Sequence, residues 1–134
     1  MAVVKNAVHF RTKRFNTTEV GPNFINPRCF GEDLGIWLAS QLRGLGVTGD
    51  SLIQEDWGWS LPVSIEERKF YINIGIMDEP TDPPEWLVWV EVRAGFLWRL
   101  LGRPDERQQR MLCDVLEQIL SSDASMSCIE WSTE

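Results

Sequence analysis

The sequence contains one histidine and three cysteines in 134 residues, and this scarcity argues against several classes of site. The cysteines Cys29, Cys113 and Cys128 show neither CxxC nor Cys/His spacing, so we expect no structural zinc site and no disulfide framework. His9 stands alone, and nothing in the sequence places a nucleophile beside it as a catalytic triad requires. We therefore expect no metal, no cofactor and no catalytic residue that the sequence identifies.

Long hydrophobic runs and a secretory leader are also missing. Apolar runs such as residues 86–90 are far too short to cross a bilayer, and the first residues lack the apolar segment and cleavage site of a signal peptide. The glycines of residues 31–49 match no phosphate-binding pattern. The acidic loop 78–85 lacks the ligand order of an EF-hand and is expected to be a solvated hairpin loop, with a weak site for a hard cation as the alternative. These absences predict a cytoplasmic protein without a membrane segment.

The net charge is −7, and it is unevenly distributed. Residues 1–31 contain five basic side chains and one acidic side chain, whereas residues 32–134 contain eight basic and 19 acidic ones. An acidic body repels the phosphates of nucleic acid and attracts basic surfaces. We therefore expect no nucleic-acid partner, and we predict a basic protein as the partner, with a homodimer as an alternative.

Hydrophobic periodicity predicts a single two-layer α+β domain over residues 1–134. We predict strands at 8–15, 51–65, 70–77, 86–93 and 127–132, and helices at 30–46 and 105–122, with a further short helical segment at 96–101. The order β-α-β-β-β-α-β describes an antiparallel sheet of about five strands with two main helices on one face. The basic residues of the first strand suggest that it lies at an edge of the sheet.

The segment 51–65 contains the most unusual residues of the chain, Glu55-Asp56-Trp57-Gly58-Trp59. If the whole segment is one extended strand, Glu55, Trp57 and Trp59 share the core side. Together they form a candidate ligand pocket, in which Glu55 acts as a catalytic acid, pairs with an arginine such as Arg99, or caps a helix. A core position of Trp57 predicts a large loss of stability when it is replaced by alanine. Gly58 is expected at a bend or a close approach of another backbone.

Residues that alternate with the core-facing ones point to the opposite side of the sheet. There they predict a second feature, an aromatic surface bordered by carboxylates. Such a face suits a partner protein, a second copy of the chain or a cationic ligand, unless the loop 16–28 folds over it. This candidate interaction face consists of Asp56, Tyr71, Asn73, Leu87, Trp89 and Glu91.

The run Glu55-Asp56-Trp57-Gly58-Trp59, followed by two apolar strands, resembles a group of small uncharacterised bacterial proteins with a Trp-Gly-Trp run in a middle strand. In size and acidity the chain is also similar to toxin-immunity proteins and secretion chaperones. The first resemblance implies no activity, and the second implies binding to another protein. The sequence thus predicts a non-enzymatic protein-interaction module, and the alternative is a small-ligand-binding domain or enzyme with a tryptophan-lined pocket around Glu55.

Overall fold

The computed structural model describes residues 5–66, 68–92 and 106–133. The predicted helical segment at 96–101 and the predicted partner Arg99 lie outside these ranges. Within them the chain forms an α+β fold with two helices and an open antiparallel sheet of seven strands. The helices are α1 (Glu32–Gly44) and α2 (Glu106–Ser121); the strands are β1 (Ala7–Arg11), β2 (Thr48–Gly49), β3 (Ile53–Glu55), β4 (Gly58–Ile65), β5 (Arg68–Ile76), β6 (Glu85–Glu91) and β7 (Ser127–Ser132).

The strands lie in the order β2-β4-β5-β6-β1-β7, and β3 also pairs with β4. The three successive strands predicted within 51–65, 70–77 and 86–93 are antiparallel neighbours in the sheet, as β4, β5 and β6. The predicted edge position of the first strand is wrong, because β1 pairs with β6 on one side and with β7 on the other. The strand count and order are also corrected, since the predicted long strand 51–65 is divided into β3 and β4 and β2 precedes them.

One face of the sheet, here called the core face, packs in the same hydrophobic cluster as the buried residues of both helices. Alternation along each strand and the pairing register place apolar side chains side by side on this face, as Leu61, Ile72 and Val90 show. The buried residues of the core face are Val8, Phe10, Trp59, Leu61, Val63, Ile65, Phe70, Ile72, Ile74, Trp86, Val88 and Val90.

Each helix contributes an apolar stripe to this core. In α1 the residues Leu34, Leu38 and Leu42 recur at intervals of four and are completely buried. Two acidic residues in the first turn of α1, Glu32 and Asp33, complement the positive end of the helix dipole. The longer helix α2 buries five apolar residues in the same manner, together with Gln108: Leu112, Cys113, Leu116, Ile119 and Leu120. No helix among the described residues is long and apolar enough to span a membrane.

A tight hairpin turn at Asp56 and Trp57 interrupts the segment that the sequence predicts as one strand. Glu55 pairs with Gly58 across the turn, so the chain reverses direction there. Gly58 lies so close to β5 that a Cβ atom added to it would be 2.0 Å from the carbonyl oxygen of Ile74. The expected close approach at Gly58 is therefore confirmed, and only a residue without a side chain fits.

We expect Gly58→Ala to lower the free energy of unfolding by about 2–3 kcal/mol, because the new methyl group must displace the backbone of β5. Urea unfolding followed by circular dichroism measures the change. Gly44→Ala is the matched control: a Cβ atom at this helical position meets nothing within 4 Å, so the substitution is expected to stabilise the protein by about 0.5–1 kcal/mol. Equal effects of the two substitutions would contradict the close packing at Gly58.

Candidate functional site

The hairpin between β3 and β4 places two tryptophans on opposite sides of the sheet. Trp59 belongs to the core face, where it is 2% exposed and its Nε1 donates a hydrogen bond of 2.7 Å to the carbonyl oxygen of Cys29. Trp57 occupies the turn, is 42% exposed, and contacts Trp89 with 4.8 Å between ring centroids and an interplanar angle of 49°. Because Trp89 points away from the core face, the predicted core position of Trp57 is wrong.

Glu55 likewise lies on the side of the sheet opposite Trp59. Its neighbour two residues earlier, Ile53, pairs with Ser60, which also points away from the core face. The prediction that Glu55 and Trp59 point to the same side is wrong, because the two turn residues 56 and 57 separate β3 from β4. Glu55 and Trp57 therefore do not share the core side with Trp59, and neither of the two grooves described below is lined by all three residues.

The side chain of Gln54 joins this hairpin to the preceding loop. Its Oε1 accepts hydrogen bonds from the backbone N–H groups of Ile25 and Asn26, and its Nε2 donates to the carbonyl oxygens of Asn26 and Cys29 at 3.2 and 3.4 Å. The carbonyl oxygen of Asp56 accepts two more bonds, from Asn26 Nδ2 at 3.4 Å and Cys29 Sγ at 3.3 Å. These contacts fix residues 25–29 against the hairpin, so the two segments form one wall.

That wall borders a cleft of about 480 Å³, here called the tryptophan cleft. Its floor is formed by β5 and β6, where Gly75 pairs with Leu87 and leaves room for the tip of the hairpin. The cleft is mainly apolar, with three charged side chains in its lining. The lining residues are Asn26, Arg28, Cys29, Asp56, Trp57, Gly75, Ile76, Met77, Asp78, Leu87 and Trp89.

A second groove of about 450 Å³ adjoins the tryptophan cleft and is here called the proline groove. It lies between the loop before α1 and the connection between β5 and β6, and three of its lining residues are prolines. It shares Arg28, Ile76, Met77 and Asp78 with the tryptophan cleft. The remaining lining residues are Thr17, Pro27, Phe30, Glu79, Pro80, Thr81, Pro84 and Glu85.

The candidate interaction face is only partly accessible. Asn73 at its centre is 0% exposed and binds Ser60 Oγ at 2.9 Å and Glu91 Oε2 at 2.8 Å. Tyr71 and Glu91 pair across β5 and β6 and are half-buried. A partner cannot contact Asn73 without rearrangement, which corrects this part of the prediction. The other three predicted residues, Asp56, Leu87 and Trp89, line the tryptophan cleft.

The thiol of Cys29 lies in the cleft wall but is poorly suited to act as a nucleophile. Burial raises its pKa, and the nearby charge of Asp56 raises it further. A raised pKa lowers the thiolate fraction at neutral pH, and the thiolate is the reactive form. The cleft therefore presents contact groups rather than an activated nucleophile.

The acids of loop 78–85 are partly occupied by ion pairs. Glu85 lies 3.6 Å from His9 Nδ1 and 3.4 Å from Arg11 Nε, and Asp82 lies 3.2 Å from Lys13 Nζ. In residues 5–66, 68–92 and 106–133, no group of three or more His, Cys, Asp or Glu side chains is arranged to hold a metal ion. Asp78 and Glu79 have no ion pair within those ranges and are exposed beside the two grooves.

Sequence reasoning missed the residues that the loop before α1 contributes, chiefly Asn26, Arg28 and Cys29. The available signal was the pair of turn formers around Pro22 and Pro27, which marks an irregular loop but not its destination. The contact depends on Gln54, whose role is visible only once the hairpin is known. No protein-family model, curated protein or solved structure matches the chain, so its geometry alone supports an assignment.

Alanine substitutions at the two hairpin tryptophans are expected to have very different effects. Trp59→Ala removes a buried ring and its hydrogen bond and should cost about 3–5 kcal/mol of unfolding free energy. Trp57→Ala removes a ring that is 42% exposed and should cost less, about 1–2 kcal/mol. Urea unfolding of both variants is the measurement. If the two variants lose equal stability, Trp57 is a core residue and the hairpin turn is incorrect.

The three cysteines are expected to differ in reactivity. Cys128 is exposed, whereas Cys29 and Cys113 are buried, and burial raises the pKa of Cys113 to about 11 and also raises that of Cys29. At pH 8 a thiol reagent should therefore label one cysteine quickly in the native protein and all three after denaturation. Mass spectrometry of the labelled protein identifies the sites. Rapid native labelling of Cys113 would contradict the packing of α2.

Proposed function

We propose that this protein is a non-enzymatic protein-interaction module whose contact site is the tryptophan cleft. The observation that carries the proposal is the position of Trp57, which is held 42% exposed at a hairpin tip against Trp89 and beside a concave apolar surface. Exposed aromatic side chains next to a pocket are typical of the few residues that contribute most of the affinity in protein interfaces.

The composition of the cleft favours binding over catalysis. Its lining contains no histidine, its one thiol has a raised pKa, and its charged groups Arg28, Asp56 and Asp78 are exposed. Catalytic acids and bases usually require pKa values tuned by burial and by neighbouring charges. A preformed site with an aromatic centre and a charged rim needs no such tuning to bind a partner.

A second candidate function is the binding of a small ligand in the same cleft. Its volume of about 480 Å³ lies within the usual range for small-molecule sites. This alternative replaces the predicted pocket of Glu55, Trp57 and Trp59, which the hairpin separates. A ligand of this kind would copurify with the protein and be released on denaturation, whereas a protein partner would be recovered intact.

We place this function in the cytoplasm. The three cysteines are unpaired, and the thiol of Cys128 is exposed. Exposed free thiols suit a reducing compartment, because an oxidising one promotes disulfide formation.

Affinity purification from the native cells tests the proposal. The wild-type protein should retain at least one protein that Trp57→Ala loses, with a loss of tenfold or more in recovered partner. Ile36→Ala is the matched control, because Ile36 is an apolar side chain 59% exposed on α1 and outside the cleft. Retention of every bound protein by Trp57→Ala, or equal losses with Ile36→Ala, would overturn the proposal.

A further inference from the structure

We propose that the tryptophan cleft and the proline groove form one trough that binds an extended, basic segment of the partner protein. This inference rests on the proposed function and adds the chemistry of the occupant. An apolar side chain of the segment fills the tryptophan cleft, and lysine or arginine side chains follow along the proline groove.

Continuity of the two grooves supports a single occupant. They share Arg28, Ile76, Met77 and Asp78, and strand β6 runs along both of them. Leu87 lines the tryptophan cleft, and Glu85 lines the proline groove two residues earlier. Two residues of an extended strand span about 7 Å. Side chains at alternate positions of an extended peptide therefore match the spacing of the two grooves.

The charge of the trough selects a basic occupant. Asp56, Asp78 and Glu79 are exposed in its lining and have no ion pair among the described residues, whereas Glu85 is already paired with Arg11. Only one basic side chain, Arg28, lies in the described lining. Three available carboxylates against one guanidinium give the trough a net negative charge, in agreement with the acidic body of the chain.

Arg28 and the acidic residues of the trough are expected to change the affinity for a basic segment in opposite directions. It lines both grooves and its side chain is exposed without a carboxylate partner among the described residues. A basic segment is attracted by Asp78 and Glu79 and repelled by Arg28. Removing the acids must weaken its binding, and removing Arg28 must strengthen it. A general loss of folding would instead weaken binding in both kinds of variant.

The probes are synthetic eight-residue peptides in a glycine and serine background. The first contains one leucine followed by lysines two and four positions later. The second has glutamates in place of the lysines, and the third has glycine in place of the leucine. Tryptophan fluorescence follows the titrations at low salt. The first peptide should bind at least tenfold more tightly than either of the others, and its affinity should fall as salt is added.

Variants of the protein assign the effect to the trough. With the first peptide, the double substitution Asp78→Asn and Glu79→Gln should weaken binding about three- to tenfold, since exposed ion pairs contribute little individually. Arg28→Gln should tighten binding about two- to threefold. Glu130→Gln is the matched control, because it removes an exposed carboxylate on β7, outside both grooves, and should leave the affinity unchanged.

Equal affinity for the acidic and basic peptides, no binding at millimolar peptide, or equal effects of Glu130→Gln and the double substitution would overturn the inference. It would also fail if sedimentation showed a dimer whose contact is lost in Trp57→Ala, since a second copy then occupies the trough.

If cellular partners depend on Trp57 while peptide charge has no effect, the proposed function survives and only this inference fails. If no partner depends on Trp57, the proposed function itself fails.

Discussion

The close contact between Gly58 and the carbonyl oxygen of Ile74 is the constraint on which the rest of the site depends. A Cβ atom at position 58 would be only 2.0 Å from this oxygen, so no side chain is tolerated there. The hairpin therefore lies directly against β5. In this position the turn places Trp57 in contact with Trp89. The amide of Gln54 holds the preceding loop against the same hairpin. The wall of the tryptophan cleft thus depends on the close approach at Gly58 and on the hydrogen bonds of Gln54.

Much of the fold is predictable because burial imposes a period on the sequence. The stripe of Leu34, Leu38 and Leu42 identifies α1, and alternation along β5 identifies the clearest strand. Both patterns arise because one face of the element packs against the core, and in the structure the same residues are buried on that face. The position of β1 was not predictable in the same way, because Arg11 pairs with Glu85 on the neighbouring strand β6 and does not mark an exposed edge.

The site is less predictable, because it depends on where the period breaks. Counting alternate residues through 51–65 assumes an uninterrupted strand, and two turn residues are enough to move Trp57 to the other face. The turn lacks an Asn-Gly or Asp-Gly pair at its centre, so the usual hairpin signal is absent. The burial of Asn73 was also hidden, since its polar character suggests exposure while its bonds to Ser60 and Glu91 satisfy it inside.

The tryptophan cleft contains Trp57 and Trp89 and is the surface that we propose to bind a partner, whereas Trp59 and Trp86 are buried on the core face. Site-specific photo-crosslinking in the native cells tests this account most directly. A photoreactive amino acid in place of Arg28, which is exposed in the lining of the cleft, should crosslink to a protein, and the crosslink should disappear in Trp57→Ala. The same group at Ile36 on α1 should give no such product. Crosslinks from Ile36 alone, or products from position 28 that persist in Trp57→Ala, would contradict the account.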